Sequence, residues 1–185
     1  MTKHSTEKSL AMIALFAALI AALGFVPPIT LPFGVPVSAQ SLGVMLCGAV
    51  LGSMRGLLAA FLFLLLIALG FPFLSGGRGG LGVFTGPTAG FLIGFPFAAC
   101  VTGLVVENWK RLPLFPCSFI GSIVGGIVVL YGFGIYGLTL VLHKTVSEAA
   151  ALVIIFIPGD IVKAVIVGLL VSGLYKVRPR SVFTR

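Results

Sequence analysis

The sequence predicts an all-α membrane protein, a bundle of six transmembrane helices with both termini cytoplasmic and an outward-facing pocket covered by Gly- and Pro-rich loops. Three observations carry that expectation. Of the 185 residues 59% are hydrophobic and only 9% charged, and a mean hydropathy of +1.23 lies well outside the soluble range. Apolar runs recur along the whole chain, parted by short polar or Pro/Gly-rich pieces. The basic residues between those runs sort almost entirely to one side.

Residues 1–8 are polar, with Lys3 and Lys8 at the membrane edge. The first span, about residues 9–26, is expected to stop at Pro27-Pro28, which cannot continue a helix. No convincing small-residue cleavage site precedes that pair, so the run reads as a retained helix rather than a signal peptide. Ala11, Ala14, Ala18 and Ala22 recur every three or four positions among Ala17 and Ala21. Such a stripe lets another helix backbone approach closely, within this chain or outside it. From Ile29 to Ser38 the prolines Pro32 and Pro36 favour a rigid, extended loop. Gln40 opens a short, Gly-interrupted run over 41–53; Arg55 and a third span over 57–71 follow. Short or interrupted spans beside fuller ones often line the binding cavity of a transporter.

Pro72 to Pro87 is too rich in glycine for a stable helix and holds one positive charge, Arg78. Glycine allows close approach of backbone to a ligand. The interleaved Phe73, Leu74, Leu81, Val83 and Phe84 suit a lid folded onto an apolar surface. It is no nucleotide loop, because no GxxxxGK[ST] occurs in the chain. The fourth span covers 88–106 and closes on Glu107-Asn108-Trp109-Lys110-Arg111, an interfacial tryptophan followed by bases. The fifth, 115–141, carries Gly121, Gly125, Gly126, Gly132, Gly134 and Gly137, which suit close helix packing. His143 to Glu148 reads as a polar turn, and Ala149 to Ile157 is too short to span. Pro158-Gly159 is expected to break that piece from the last span, 160–175. All six belong to one transmembrane domain over residues 1–185.

The charges orient this arrangement. The inner side takes Lys3, Lys8, Arg55, Lys110, Arg111, Lys176, Arg178, Arg180 and Arg185; the outer side takes Arg78 and Lys144, and Lys163 lies in the membrane. An odd number of spans would split the terminal basic clusters. The net charge of +8 therefore reflects topology and not nucleic-acid binding, since the bases are scattered between apolar runs. Both special loops and the head of the last helix then share the outer face, where a substrate pocket would open.

The chemistry concentrates at that head. Asp160, the only aspartate among four acids, and Lys163 stand three residues apart inside apolar sequence, on one helix face. Ionised groups in hydrocarbon cost at least about 2.5–3.5 kcal/mol each, so they face a cavity or a partner. Asp160 sits in the first turn of its helix, where the macrodipole favours an anion. The pair is either a binding site or an ion pair that merely orients the helix. As a site, Asp160 accepts N–H bonds, while Lys163 and Arg78 hold a carboxylate. The matching ligand has an N–H-bearing head, an acidic tail and an apolar middle that rests on Phe33, Phe73, Phe84 or Phe91. Catalysis lacks its parts: no second carboxylate beside Asp160, no Ser/His/Asp set, no metal-ligand spacing. Cys47, Cys100 and Cys117 stand singly, and His4 is far from His143, so no disulfide, metal or cofactor is expected.

Three stretches carry a resemblance: Gln40-Ser41-Leu42-Gly43-Val44, the Gly-rich loop leading into Gly86-Pro87-Thr88-Ala89-Gly90-Phe91, and Phe156 to Lys163. With length and span count they make the chain similar, over essentially its whole extent, to the BioY proteins. These are the biotin-specific S components of energy-coupling-factor (ECF) transporters. Ala89 and Phe91 depart from the Gly and Tyr often found there, which removes a hydroxyl if that position faces ligand. The resemblance implies biotin uptake across a bacterial inner (cytoplasmic) membrane, with the site near the outer face. Asp160 would take the ureido N–H groups, Lys163 the valerate carboxylate or the pair's own network, and the Gly-rich loop would close over biotin. Gln40 and Thr88, standing in the shared motifs, join the expected substrate-binding residues; Arg78 is assigned to the carboxylate from its chemistry alone. Ala14, Ala18 and Ala22 match the small-residue surface that meets a membrane-embedded T component. ATP hydrolysis would come from separate ATPase subunits, since the chain has no Walker motif. A solitary or homo-oligomeric transporter, an S component for another vitamin-like ligand, a membrane enzyme acting on a lipid or vitamin precursor, and a purely structural subunit remain alternatives.

Overall fold

A computed structural model describes residues 3–29 and 31–184. The Lys3 and Arg180 side chains and Arg185, which entered the charge sorting, lie outside the described residues, as does Thr30 of the Pro-rich loop. Among the described residues the architecture is helical, and extended pairing is limited to isolated bridges, Ile29 with Val37 and Leu74 with Arg78. Among the described residues four helical stretches are long and apolar enough to cross a membrane: Thr6–Leu23, Ala89–Asn108, Leu114–Leu142 and Val146–Val177. Gln40–Leu51 and Ser53–Ala68 are shorter apolar helices.

Helix α1 (Lys3–Leu23) ends before the proline pair that was expected to stop it. The Gly24 N–H turns back to the Ala21 carbonyl and the Phe25 N–H to Ala22. A side chain at Gly24 would collide with the Phe73 carbonyl, so contact with the Gly-rich loop sets the end. Helices α2 (Gln40–Leu51) and α3 (Ser53–Ala68) meet in an elbow at Gly52, whose φ of 89° suits glycine. The expected break around Arg55 thus falls three residues earlier, and Arg55 belongs to α3. Glu107 caps α3, accepting from the Ser53 N–H at 3.0 Å and hydroxyl at 2.7 Å. A carboxylate is favourable there, at the positive end of the helix.

Helix α4 (Ala89–Asn108) is central, touching α2 and α3 on one side. On the other it meets the rod formed by α5 (Leu114–Ile123), a π-helical turn (Val124–Val129) and α6 (Leu130–Leu142). Small residues bring these backbones together: a side chain at Gly103 would overlap Ser53, and one at Gly90 the Phe133 carbonyl.

The expected polar turn is half helical. Thr145 and Glu148 form a capping box that starts α7 (Val146–Val153). Pro158-Gly159 does not break the last helix either. The chain tightens earlier, in a 3₁₀ turn at Ile154–Phe156, and α8 (Ile157–Val177) begins with Pro158 in its first turn. Proline's missing N–H costs nothing at that position.

At the far end of the bundle the segment after α8 packs against α1, α2 and α3. Phe183 donates its N–H to Val50 at 2.7 Å and Thr184 its hydroxyl to Ala49 at 3.0 Å. The Phe183 ring lies 5.1 Å from the Lys8 ammonium and 4.5 Å from the Arg55 guanidinium. The Pro-rich loop, the Gly-rich loop and the head of α8 meet at the opposite end.

Candidate functional site

That opposite end holds a cavity of about 580 Å³, its open mouth included. Its floor is charged. Pro158 at the head of α8 places Asp160 in the first helical turn and Lys163 one turn further on the same face. Asp160 is only 4% exposed, and its Oδ1 accepts from Lys163 Nζ at 2.7 Å and from the Ser41 hydroxyl at 3.2 Å. Its Oδ2 accepts from the Tyr131 hydroxyl at 2.7 Å. Lys163 Nζ also donates to the Ser38 carbonyl at 2.7 Å and to Ser41 Oγ at 2.9 Å. The three ammonium protons are therefore all engaged, whereas three of roughly four acceptor positions on the carboxylate are taken.

Both sequence readings of the pair meet here. It is a direct ion pair, and it also lines the cavity. A pair serving orientation alone needs neither Tyr131 from α6 nor Ser41 from α2 around an open space. Four segments converge on it, so its geometry is fixed before any ligand arrives.

Arg78 is half-buried and borders the cavity from the Gly-rich loop. Its Nε donates to the Ser75 carbonyl at 3.2 Å, leaving the terminal guanidinium nitrogens for an anion. It also borders the seam between the two loops, beside Pro36 and Gly34. Among the described residues no ion pair joins Arg78 to a carboxylate, and Asp160 is held by Lys163.

Thr88 and Phe91 line the cavity from the start of α4, and Gln40 does so from the start of α2. Phe33, Phe73 and Phe84 are not among the lining residues. Phe33 sits one layer behind, edge-on to Phe156 at 6.0 Å, and Phe84 packs on the core from a short 3₁₀ turn, Leu81–Phe84. The apolar wall is instead Phe91, Leu92, Phe95, Leu130 and Phe156, with Phe91 edge-on to Phe156 at 6.1 Å. Ala14, Ala18 and Ala22 lie exposed on the outer face of α1, while Ala17 (1%) and Ala21 (6%) are buried against the bundle. Among the described residues no group of three or more His, Cys, Asp or Glu is placed to hold a metal.

Sequence reasoning missed Tyr131, Ser75 and the role of Ser41. Tyr131 had a signal, because a phenol in the middle of an apolar span needs a partner for its hydroxyl. Ser75 had none among so many glycines. The Ser38 carbonyl could not be seen at all, since a backbone acceptor has no residue identity.

The arrangement offers a buried carboxylate with spare acceptor capacity, an apolar wall, and a guanidinium whose terminal nitrogens are unpaired among the described residues, all bordering one cavity. Comparison with known proteins places the whole chain rather than the individual site residues. A family model described as "BioY family" matches residues 1–180. A "Biotin transporter BioY" from Rhodobacter capsulatus is 51% identical over 97% of this chain and 99% of its own length. Another of that name from Rhizobium etli is 50% identical, over 89% and 91%. The crystal structure of the S-component for biotin from an ECF-type ABC transporter superposes with a TM-score of 0.89 at 30% identity, covering 95% of each chain.

Proposed function

The chain belongs to the BioY family, and we propose that Asp160, Lys163 and Arg78 are the polar anchors of its biotin site. The protein is a biotin-uptake subunit and a transporter, not an enzyme. Biotin's fused ring carries two ureido N–H donors, its valerate chain ends in a carboxylate, and the ring and chain between are apolar. The observation that carries the assignment is the set of groups that one cavity brings together: the buried Asp160 carboxylate, the rings of Phe91, Phe95 and Phe156, and the half-buried Arg78. The ureido N–H groups bind Asp160, one at the remaining acceptor position and the other by displacing a protein donor. The carboxylate binds Arg78, with the Lys163 charge close by.

The surrounding assignments follow the same reading. The chain acts as one transmembrane domain that crosses the bacterial inner membrane six times, with α2 and α3 completing the count and both termini cytoplasmic. Support comes from the gathering of Lys8, Arg55 and the C-terminal segment at the end remote from the cavity. The exposed Ala14, Ala18 and Ala22 face is the surface for an ECF T component, with ATPase subunits supplying the energy and no cofactor bound in this chain. Radiolabelled biotin uptake in cells lacking biotin synthesis and their own transporter tests the assignment. Wild type should restore uptake when its partner subunits are present, and Asp160→Asn should not. Undiminished uptake by that variant would remove Asp160 from the site.

A further inference from the structure

Gln40 borders the cavity, yet its side chain is 2% exposed and wholly engaged by protein. Nε2 donates to the Ile20 carbonyl at 3.3 Å and the Phe73 carbonyl at 3.0 Å. Oε1 accepts from the Ser75 N–H at 3.2 Å and the Ser75 hydroxyl at 3.1 Å. A primary amide has two N–H groups and two lone pairs, so its capacity is filled.

Each partner has a reason to be there. The Gly24 N–H, which would continue α1 onto the Ile20 carbonyl, bonds Ala21 instead, and the orphaned carbonyl goes to Gln40. The Phe73 carbonyl rests where Gly24 has no side chain. Ser75 belongs to a tight turn closed by Leu74 N–H to Arg78 O at 3.0 Å and Arg78 N–H to Leu74 O at 3.3 Å. Fixing Ser75 therefore fixes Arg78 beside the cavity. The next residue in α2, Ser41, bonds Asp160 and Lys163. Two consecutive residues thus join the end of α1, the Arg78 turn and the charged floor.

We infer that Gln40 is a positioning residue that latches the Leu74–Arg78 turn to the end of α1, and so sets how fast ligand enters and leaves without bonding to it. While the latch is closed the amide has no donor or acceptor to offer a ligand. Opening the turn takes Phe73 and Ser75 off Gln40 together, and the amide that also holds Ile20 is freed to move. The last turn of α1 loosens with it.

Hydrogen exchange on the full chain in detergent, without ligand, tests the latch in wild type, Gln40→Leu and Ser75→Ala. Amides of the 73–80 segment and those of Gly24 and Phe25 should exchange faster together, by about tenfold or more in Gln40→Leu and less in Ser75→Ala. Biotin association and dissociation should both accelerate in each variant; this kinetic arm rests on the proposed ligand. A residue that only stabilised the fold would not speed association. Faster dissociation with unchanged association and unchanged exchange would make Gln40 a direct ligand contact and overturn the latch. Faster exchange in the loop with an unchanged α1 end would overturn the link between them. Should Gln40→Leu fail to fold, Ser75→Ala, which removes one bond of the four, decides on the same readouts. Failure of wild type to bind biotin sinks the ligand assignment alone, and the exchange rates still judge the latch.

Discussion

Arg78 and Asp160 are the residues on which ligand chemistry turns, and they differ in how much of each is free. Arg78 uses one nitrogen on Ser75 and keeps a fork of donors for an anion. Its replacement by alanine should weaken biotin binding by about tenfold or more, since a charge-assisted bond contributes roughly 1.5–3 kcal/mol. A biotin amide, with no carboxylate to lose, should be affected far less. Equal losses for acid and amide in a direct binding assay would separate Arg78 from the carboxylate. Asp160 and Lys163 were legible as a pair because charge is so rare in this chain. Their partners were not, for a hydroxyl such as Ser41 or a carbonyl such as that of Ser38 gives no signal until the fold brings it near. Phe33, Phe73 and Phe84 fell outside the cavity for the related reason that aromatic residues announce burial but not which layer they occupy.

Helix ends show the same limit from another side. Proline was read as the stop for α1 and as the break before α8, yet Gly24 ends the first and Pro158 opens the second. What decided the first was contact, the Phe73 carbonyl against Gly24; the second rests on the first helical turn, where the missing N–H of Pro158 has no intrahelical partner to lose. By contrast the T-x-x-E spacing of Thr145 and Glu148 was present in the sequence and did form the cap of α7. The α2–α3 elbow depends on Gly52, where a side chain would meet a positive φ and the Glu107 carboxylate together. Gly52→Ala should lower stability by about 1–3 kcal/mol, seen as a fall in melting temperature, because non-glycine residues in such conformations are strained. An unchanged melting temperature would mean that the elbow relaxes freely. Thr102 in α4 and Ser118 and Ser122 in α5 present the opposite case. The hydroxyls of Thr102, Ser118 and Ser122 are buried without a protein hydrogen-bond partner. Removing an unpaired buried hydroxyl while keeping its shape is neutral or stabilising. Thr102→Val should therefore hold or raise the melting temperature, and a clear drop would show that its hydroxyl is satisfied after all.

Across the whole molecule, composition made the apolar helical class legible, whereas the sidedness read from the charges is a proposal that the helices themselves do not test. Both rest on sums over many residues, which single contacts cannot overturn. The number of long helices was harder, because α2 and α3 are short apolar helices joined at an elbow that hydropathy alone does not locate. The bundle separates two ends: one where Phe183 lies among Lys8, Arg55 and the α2–α3 elbow, the other where loops cover an acidic floor. The outer face of α1 is left with small and apolar side chains, among them Ala14, Ala18, Leu10 and Leu15. Everything proposed about transport depends on the acidic floor being a ligand site and not only an internal ion pair. Ligand that binds the native state alone must raise the melting temperature, by linkage. The most direct measurement is thus the thermal shift produced by biotin in wild type and in the Asp160→Asn, Lys163→Met double variant. The double change removes both charges, so no unpaired ammonium is left to destabilise the apo fold. A shift in wild type that is absent in a stably folded double variant is the predicted result. An equal shift in both, or none in wild type at saturating biotin, would contradict a biotin site built on Asp160.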